Sequence, residues 1–326
     1  MKEIKISFIN FWPTFEIQES LIYKILRKHF HIQITNMENA DYLFYSVFGD
    51  DHWFAPQQCI KIFYTGENRT PDFNACDYAI GFERMEFGDR YFRFPLFYTY
   101  KECSLMETKH LIDRNSILKE KKDFCSFTVS NPNSPQRITM FETLNKYKRV
   151  DSGGKYLNNI GGPVNDKFEF DSSHKFSIAY ENASYNGYIT EKLIQAFAAK
   201  TIPIYYGDPH VTEVFNKNSF INVSDYHSIE DVVQRIKEID NNLDLYFSIL
   251  ETPALNSKAY QMEHQYKLLE SFLLNIFEQS LDKAHRRTKF AFHMANVQQK
   301  LLKNYYYSQM PFLRKMYHRF ISIFKS

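Results

Sequence analysis

The first third of the chain alternates short apolar runs with a segment of helical spacing. In Phe15–Phe30, apolar residues recur every three or four positions, which predicts an amphipathic helix. Short apolar or alternating runs predict strands at Ile4–Ile9, Ile32–Ile34, Tyr42–Val47 and Ile60–Tyr64. Strands that alternate with helices are typical of a doubly wound α/β domain.

A second α/β pattern follows the charged stretch at residues 108–122, which we interpret as a linker. Phe124–Ser130 predicts a strand, and a turn rich in Asn and Pro leads into a predicted helix from Gln136 to about Tyr147. Further helices are predicted from Ser228 to about Phe277. The predicted domains are residues 1–115 and 116–282, with a tail at 283–326. The alternative that the last helices pack back on the first domain stays open.

The stretch Phe176–Pro209 is the most informative in the chain. It predicts a strand at Phe176–Tyr180, a polar loop, a helix with Thr190 as its N-cap, and a strand at Thr201–Tyr206. Lys192 would lie in the first turn of that helix, where a cation opposes the helix dipole. A bound anion would explain this lysine. Pairing with a surface carboxylate explains it equally well.

Composition excludes a disordered chain, because 44% of the residues are hydrophobic and 17% are aromatic. With 326 residues the chain is long enough for one large domain or two ordinary ones. The cysteines show no paired or metal-binding spacing, which predicts buried, reduced thiols. The N-terminus lacks the pattern of a signal peptide, and no apolar run is long enough to span a bilayer. These features favour a cytoplasmic protein.

The charge of the chain is unevenly distributed. The formal net charge is +2, yet residues 283–326 carry ten Lys and Arg and no Asp or Glu. The preceding residues therefore hold 30 basic and 38 acidic side chains, a net charge of −8. Within the tail, Phe312–Phe324 has one apolar stripe flanked by cations, which is typical of a helix lying on an anionic membrane surface. Packing of the tail on the acidic body is the alternative.

Several blocks of the sequence resemble the bacterial α-1,3-fucosyltransferases of glycosyltransferase family 10. The order E-N, G-Y-x-T-E-K and P-I-Y-Y-G between Glu181 and Gly207 is similar to the donor-binding signature of that family. The resemblance extends to Phe63–Pro95, Phe124–Arg137 and Ser219–Tyr226. It implies the α/β fold called GT-B, in which two Rossmann-like doubly wound domains face a cleft. In this fold the C-terminal half holds the nucleotide sugar and the N-terminal half presents the acceptor.

The resemblance also implies a reaction. It is transfer of L-fucose from GDP-fucose, with inversion, to O3 of N-acetylglucosamine in a lactosamine-type acceptor, as in Lewis X-like surface glycans. No cofactor beyond this donor is expected. Alternatives are a GT-B transferase with another linkage or nucleotide sugar, and an inactive membrane-associated glycan-binding relative. The basic tail alone would also fit a nucleic-acid binder, although no nucleic-acid partner is expected. The expected location is the inner face of the cytoplasmic membrane.

Three residues are assigned to the chemistry by their match to the family. Glu67 follows the predicted strand Ile60–Tyr64, on the kind of loop where open α/β sheets place their sites. The resemblance makes it the catalytic base, and a solvated turn residue is the alternative. Arg137 and Lys192 match donor-binding positions and would hold the diphosphate, Arg through its planar fork and Lys as a point charge.

The match assigns Asn182, Tyr188 and Glu191 to the donor as well, whereas Glu181 is left out. Each of the three also has an ordinary structural interpretation, as a loop cap, a core aromatic and a helix-start carboxylate. No D-x-D pair occurs that would clamp a metal on a sugar nucleotide, and adjacent carboxylates such as Asp50 and Asp51 are usually only solvated. Since two cations and two helix N-termini can neutralise a diphosphate, no metal is expected.

Overall fold

The computed structural model describes residues 1–130 and 134–309, with side chains described as far as residue 306. The chain forms two compact units. The described residues of the first unit are 1–81, 86–92 and 270–309, and those of the second are 82–85, 93–130 and 134–269. The domain boundaries predicted from the sequence stay predictions, because units defined by contacts need not coincide with domains that fold separately.

The first sheet has six strands in the order β2-β1-β3-β4-β5-β6. The strands are β1 Glu3–Ile9, β2 His31–Ile34, β3 Tyr42–Tyr45, β4 Ile60–Tyr64, β5 Tyr78–Gly81 and β6 Tyr91–Arg93. The pairs that join β1 to β2 and β3, and β4 to β3 and β5, are all parallel. Every residue of β3, β4 and β5 is buried, as expected for a parallel sheet covered on both faces.

The helix predicted over Phe15–Phe30 is largely wrong. Only α1, Leu21–Leu26, is an α-helix, and it begins where the side chain of Ser20 accepts a hydrogen bond from a first-turn N–H group. The aromatic residues before this cap pack on one another instead of forming a helix face. The rings of Phe11 and Phe15, for example, stack with centroids 4.0 Å apart.

The second sheet has five strands in the order β11-β10-β9-β7-β8. The strands are β7 Asp123–Phe127, β8 Val150–Ser152, β9 His174–Tyr180, β10 Ile202–Tyr206 and β11 Ile221–Asn222. All four pairs are parallel. The remaining helices are α2 Glu102–Glu107, α3 Arg114–Glu120, α4 Pro135–Tyr147, α5 Lys167–Ser172, α6 Glu191–Ala198, α7 Ile229–Asp240, α8 Leu243–Leu250, α9 Met262–Phe277, α10 Leu281–Ala284 and α11 Lys289–Gln309.

Several helix boundaries follow from local chemistry visible in the sequence. Pro135 occupies the first turn of α4, where its missing N–H costs nothing. Ser228 and Asp231 form a reciprocal capping box at the start of α7. The last predicted helical region ends at Phe277, as expected.

The charged stretch interpreted as a linker contains the helix α3. Two of its lysines, Lys109 and Lys121, are buried, and burial lowers the pKa of each to about 7. The Lys109 Nζ donates to two carbonyl groups at the end of α8, and the Lys121 Nζ donates to the carbonyls of Ser172, the last residue of α5, and Ala199, which follows α6. The stretch is therefore a structured part of the second unit, because its cations satisfy the ends of three helices.

A buried ion pair ties the C-terminal part of the first unit to its sheet. The fully buried carboxylate of Asp77 accepts hydrogen bonds from the backbone N–H of Lys61, from the backbone N–H groups of Arg286 and Arg287, and from the Arg287 guanidinium. Arg287 also donates to carbonyl oxygens of residues 57 and 59. These hydrogen bonds and the arginine charge compensate the free energy of burying the carboxylate.

The cysteine prediction is confirmed, since Cys59, Cys76, Cys103 and Cys125 are all buried free thiols. In the part of the chain that the structure describes, no helix is both long enough and apolar enough to span a membrane. The apolar stripe predicted at Phe312–Phe324 lies outside the described residues, as do residues 131–133 of the turn predicted at Asn131–Pro135.

Candidate active site

The candidate site lies in the second unit, at the carboxyl ends of β7 and β9. These strands are neighbours, but the chain leaves β7 first for β8 on one side and then for β9 on the other. Such a reversal of strand order opens a crevice at the carboxyl ends of the two strands, where open α/β sheets bind ligands. The helix α4 begins after β7, and Glu181 and Asn182 follow directly after β9.

Arg137 lies in the first turn of α4 and is 4% exposed. Its Nη2 donates to the carbonyl oxygen of Tyr180 at 3.0 Å and to Oδ1 of Asn182 at 2.9 Å. Burial lowers the pKa of this guanidinium, opposed by the charges of Glu181 and Glu191. The buried Nε has no hydrogen-bond partner among the described residues. A buried donor without a partner is unusual, and an anion that binds Arg137 would satisfy it.

Glu181 is completely buried and connects the end of β9 to the start of α6. Its carboxylate accepts from the backbone N–H of Thr190 at 2.7 Å, from the Thr190 hydroxyl at 2.6 Å, and from Lys192 Nζ at 3.1 Å. Burial raises the pKa of Glu181, while Lys192 and the hydrogen bonds from Thr190 oppose that rise. Sequence reasoning left this residue out. The available signal was its position directly after a strand, with a cation following in the next helix.

Lys192 is already paired with protein carboxylates. Its Nζ lies 3.1 Å from Glu181 and 3.4 Å from Glu191, and it also bonds the Thr190 hydroxyl at 3.0 Å. Burial opposes the charge of Lys192, but the two glutamates outweigh it and raise the pKa of the ammonium. The alternative from the sequence was therefore right about a carboxylate partner, although the nearer carboxylate is buried rather than on the surface.

Thr190 is the N-cap residue of α6, as predicted, but its hydroxyl does not cap the helix. It donates to Glu181 instead of accepting from a first-turn N–H group. The N–H groups of the first turn of α6 therefore receive no side-chain cap from Thr190, and the helix keeps the positive end that binds anions.

Two tyrosines differ in how far they face the site. Tyr188 is 4% exposed, and its ring packs edge to face on Phe82 with centroids 5.2 Å apart. Tyr206 is half-buried, and the centroid of its ring lies 5.3 Å from that of Tyr180. Tyr188 is thus as enclosed as Arg137, whereas Tyr206 keeps an aromatic surface at the end of β10.

Glu67 lies in the first unit, on the loop that follows β4, as predicted. Its backbone N–H donates to the Thr65 hydroxyl at 3.0 Å, and its carbonyl accepts from the N–H of Arg69 at 2.7 Å. These bonds fix the loop and leave the side chain exposed. An exposed carboxylate at a strand end is free to accept a proton from a bound hydroxyl.

The structure thus brings four of the six predicted site residues into one cluster in the second unit. They are Arg137, Asn182, Glu191 and Lys192. Tyr188 lies on the loop between Asn182 and Glu191, and Glu67 belongs to the first unit.

Family models match the chain in two parts. An α-(1,3)-fucosyltransferase FucT N-terminal domain matches residues 6–100, and the C-terminal domain of glycosyltransferase family 10 (fucosyltransferase) matches residues 118–297. The chain belongs to glycosyltransferase family 10. The second match covers the whole cluster around Arg137 and Lys192.

Individual relatives agree with this membership. The family 10 chain is 35% identical over 315 residues to the α-(1,3)-fucosyltransferase FucT of Helicobacter pylori, covering 84% of this chain and 66% of the relative. It is 33% identical over 193 residues to putative fucosyltransferase R654 of Acanthamoeba polyphaga mimivirus, covering 56% of this chain and 32% of the relative. The family 10 chain therefore spans at most about two thirds of the length of these two relatives.

A crystal structure of an α1,3-fucosyltransferase with GDP-fucose is similar over most of the chain. It is 32% identical, with a TM-score of 0.72, and the match covers 86% of the family 10 chain and 92% of the crystallised one. The GT-B fold class predicted from the sequence is confirmed by this match.

Proposed function

We propose that the family 10 chain transfers L-fucose from GDP-fucose, with inversion, to O3 of N-acetylglucosamine in a lactosamine-type acceptor. The observation that carries the proposal is that two cations lie beside the buried Glu181, where β7 and β9 end. Lys192 forms an ion pair with Glu181, and the charge of Glu181 also acts on Arg137. Two cations beside two helix N-termini are suited to a diphosphate. The similarity to an α1,3-fucosyltransferase crystallised with GDP-fucose supports the choice of donor.

In this proposal Arg137 and Lys192 hold the diphosphate, and Asn182, Tyr188 and Glu191 complete the donor site. The Nε of Arg137, which has no hydrogen-bond partner among the described residues, supplies a donor for the diphosphate. Lys192 remains protonated at neutral pH, because its glutamate partners raise its pKa. A diphosphate would share the ammonium with Glu181 and would gain the uncapped first turn of α6.

Glu67 acts as the base in the proposed reaction. Its carboxylate takes the proton of the acceptor O3 hydroxyl while O3 forms a bond to the anomeric carbon of fucose. The bond between that carbon and the phosphate oxygen breaks, and its electron pair leaves with GDP. The positive charges of Arg137 and Lys192 stabilise the negative charge that develops on the departing phosphate. No metal is required in this scheme.

GDP release measured with N-acetyllactosamine present tests the proposal. We expect turnover that needs both GDP-fucose and the acceptor. The rate should change less than about twofold when EDTA is added, because side-chain cations and helix N-termini neutralise the diphosphate without a metal ion. Binding of GDP-fucose without fucosylation would keep the class but favour another acceptor or linkage. No binding and no turnover would contradict the proposed donor. Loss of turnover in EDTA, restored by a divalent ion, would contradict metal independence.

We further propose that the product belongs to surface glycan, such as a Lewis X-like lipopolysaccharide, and that the enzyme works at the inner face of the cytoplasmic membrane. The support is the apolar stripe Phe312–Phe324 and the cations that flank it in the sequence. Residues 310–326 carry four Lys and Arg and no acidic residue. Each cation near an anionic surface contributes about 1 kcal/mol.

Removing residues 310–326 is therefore expected to lower the partition constant on anionic phospholipid vesicles by at least about a hundredfold. Co-sedimentation with anionic and with neutral vesicles measures it, and turnover of a soluble acceptor serves as the control for folding. Equal binding of both chains, or binding that ignores vesicle charge, would contradict the membrane role of the tail.

A further inference from the structure

Residues 82–85 are joined at both ends to residues of the first unit, yet they belong to the second. The ring of Phe82 packs edge to face on Tyr185, with centroids 5.8 Å apart, and on Tyr188, with centroids 5.2 Å apart. Both tyrosines lie on residues 182–190, which we call the donor loop because it contains Asn182 and Tyr188. The packing brings residues 82–85 directly against this loop.

Arg84 makes polar contacts with two loops of the second unit. Its Nη1 donates to Asp208 Oδ2 at 2.6 Å and to Asn186 Oδ1 at 3.3 Å. Its Nε donates to Glu213 Oε2 at 2.8 Å, and its Nη2 donates to the carbonyl oxygen of His210 at 2.8 Å. The side chain is 15% exposed. All three guanidinium nitrogens are thus in use, and one of the four acceptors belongs to the donor loop itself.

Asp208 connects Arg84 to the backbone of the donor loop, because its carboxylate accepts hydrogen bonds from both. Its side chain is completely buried, and the oxygen that does not receive Arg84 accepts the N–H groups of Gly187 at 2.9 Å and His210 at 3.0 Å. A buried carboxylate needs a cation and several donors to remain ionised. Arg84 is the cation that Asp208 contacts, so the position of the Gly187 N–H depends on Arg84 through one shared carboxylate.

The donor loop has little freedom at this point. Gly187 has φ +86°, a conformation that favours glycine, and a side chain there would collide with the carbonyl oxygen of Phe82. The loop is therefore held on one side by Phe82 and on the other by Asp208. Asn182, at one end of the loop, contacts Arg137, and Tyr188 directly follows Gly187.

We infer that Arg84 is a positioning residue for the donor site, acting through Asp208 and Gly187 on the loop that holds the nucleotide sugar. The inference rests on the proposed function, because it takes this loop to contact GDP-fucose. The planar guanidinium serves four acceptors in fixed directions, which the single ammonium of a lysine cannot do. A lysine at this position would keep the charge beside Asp208 but lose the geometry.

The test is Arg84→Lys, compared with Arg114→Lys as a matched control. Arg114 forms a two-point ion pair with Glu251 in the same unit, and no predicted site residue takes part in it. For Arg84→Lys we expect KM for GDP-fucose and Kd for GDP to rise about tenfold, which corresponds to about 1.4 kcal/mol, because hydrogen bonds to charged groups are lost. The expected changes in acceptor KM and in kcat are below about twofold. Amide hydrogen exchange of residues 182–190 should accelerate, whereas Arg114→Lys should change none of these quantities.

Two kinds of result would overturn the inference. One is an unchanged donor KM in Arg84→Lys, or an equal loss in kcat, acceptor KM and thermal stability, which would indicate general destabilisation. If Arg84→Lys failed to fold while Arg114→Lys folded, Arg84 would be needed for general stability, and the inference would also be overturned. The other is unchanged exchange of the donor loop. If the unsubstituted chain binds no GDP, the proposed function has failed, and the exchange measurement alone decides whether Arg84 orders the loop.

Discussion

Lys192→Ala is expected to lower kcat/KM for GDP-fucose by about a thousandfold, the scale of losing one group that stabilises transition-state charge. The ammonium lies between Glu181, Glu191 and the start of α6, where we place the diphosphate. Its loss would remove positive charge at the moment GDP departs. Steady-state GDP release in the presence of acceptor measures the effect. Lys217→Ala, at an exposed lysine of the same unit, is the control and should retain full activity.

A second variant separates this catalytic role from support of the fold. Lys192→Ala leaves the buried Glu181 without its cation, which can destabilise the protein by itself. The double variant Glu181→Gln/Lys192→Met removes both charges together. We expect it to fold and to remain inactive. Recovery of turnover in the double variant would mean that Lys192 serves only to neutralise Glu181, and the donor-binding role would be wrong.

Glu67→Gln is the second variant with a large expected effect. It keeps the size of the side chain and removes the ability to accept a proton, so kcat should fall by about a thousandfold. The proposed donor-binding residues belong to the second unit and Glu67 to the first, so KM for GDP-fucose should stay within about twofold. Rapid-quench or steady-state assays at saturating acceptor give kcat, and binding of GDP is measured separately.

The control for Glu67→Gln is Glu38→Gln, an exposed glutamate of the same unit. It should behave as the unsubstituted chain. If Glu67→Gln retained its kcat, another group would have to accept the proton, and the match to the family would not extend to the base. If the variant lost GDP binding as well, Glu67 would belong to the donor site instead.

Sequence reasoning succeeded where local chemistry decides the structure. The strand Ile60–Tyr64 was placed at the residues where the structure has it, because its apolar run is buried on both faces of a parallel sheet. The helix α4 was placed to within a residue, because a turn rich in Asn and Pro precedes it. By contrast, Phe15–Phe30 has helical spacing, yet its first aromatic residue stacks on Phe11 through tertiary packing that periodicity does not reveal.

The site shows the same division. Lys192 was selected because a cation in the first turn of a helix is unusual, and Arg137 was selected through its match to the family. Glu181 was missed because its importance comes from partners nine and eleven residues away, Thr190 and Lys192, which converge only when β9 and α6 pack together. Arg84 was missed for a stronger reason. It is 124 residues from Asp208, and nothing in its local sequence indicates that contact.

The ion pair between Asp77 and Arg287 also has a consequence for biosynthesis. The two residues are 210 positions apart, so a ribosome completes the whole second unit before it makes the partner of Asp77. Until then, β4 and β5 can pair while the carboxylate beside them has no arginine. Since domains generally fold as they emerge, the second unit can mature before the first is complete. The N-terminal part of this chain is therefore synthesised first, but its folding is completed only after the C-terminal segment with Arg287 has been synthesised.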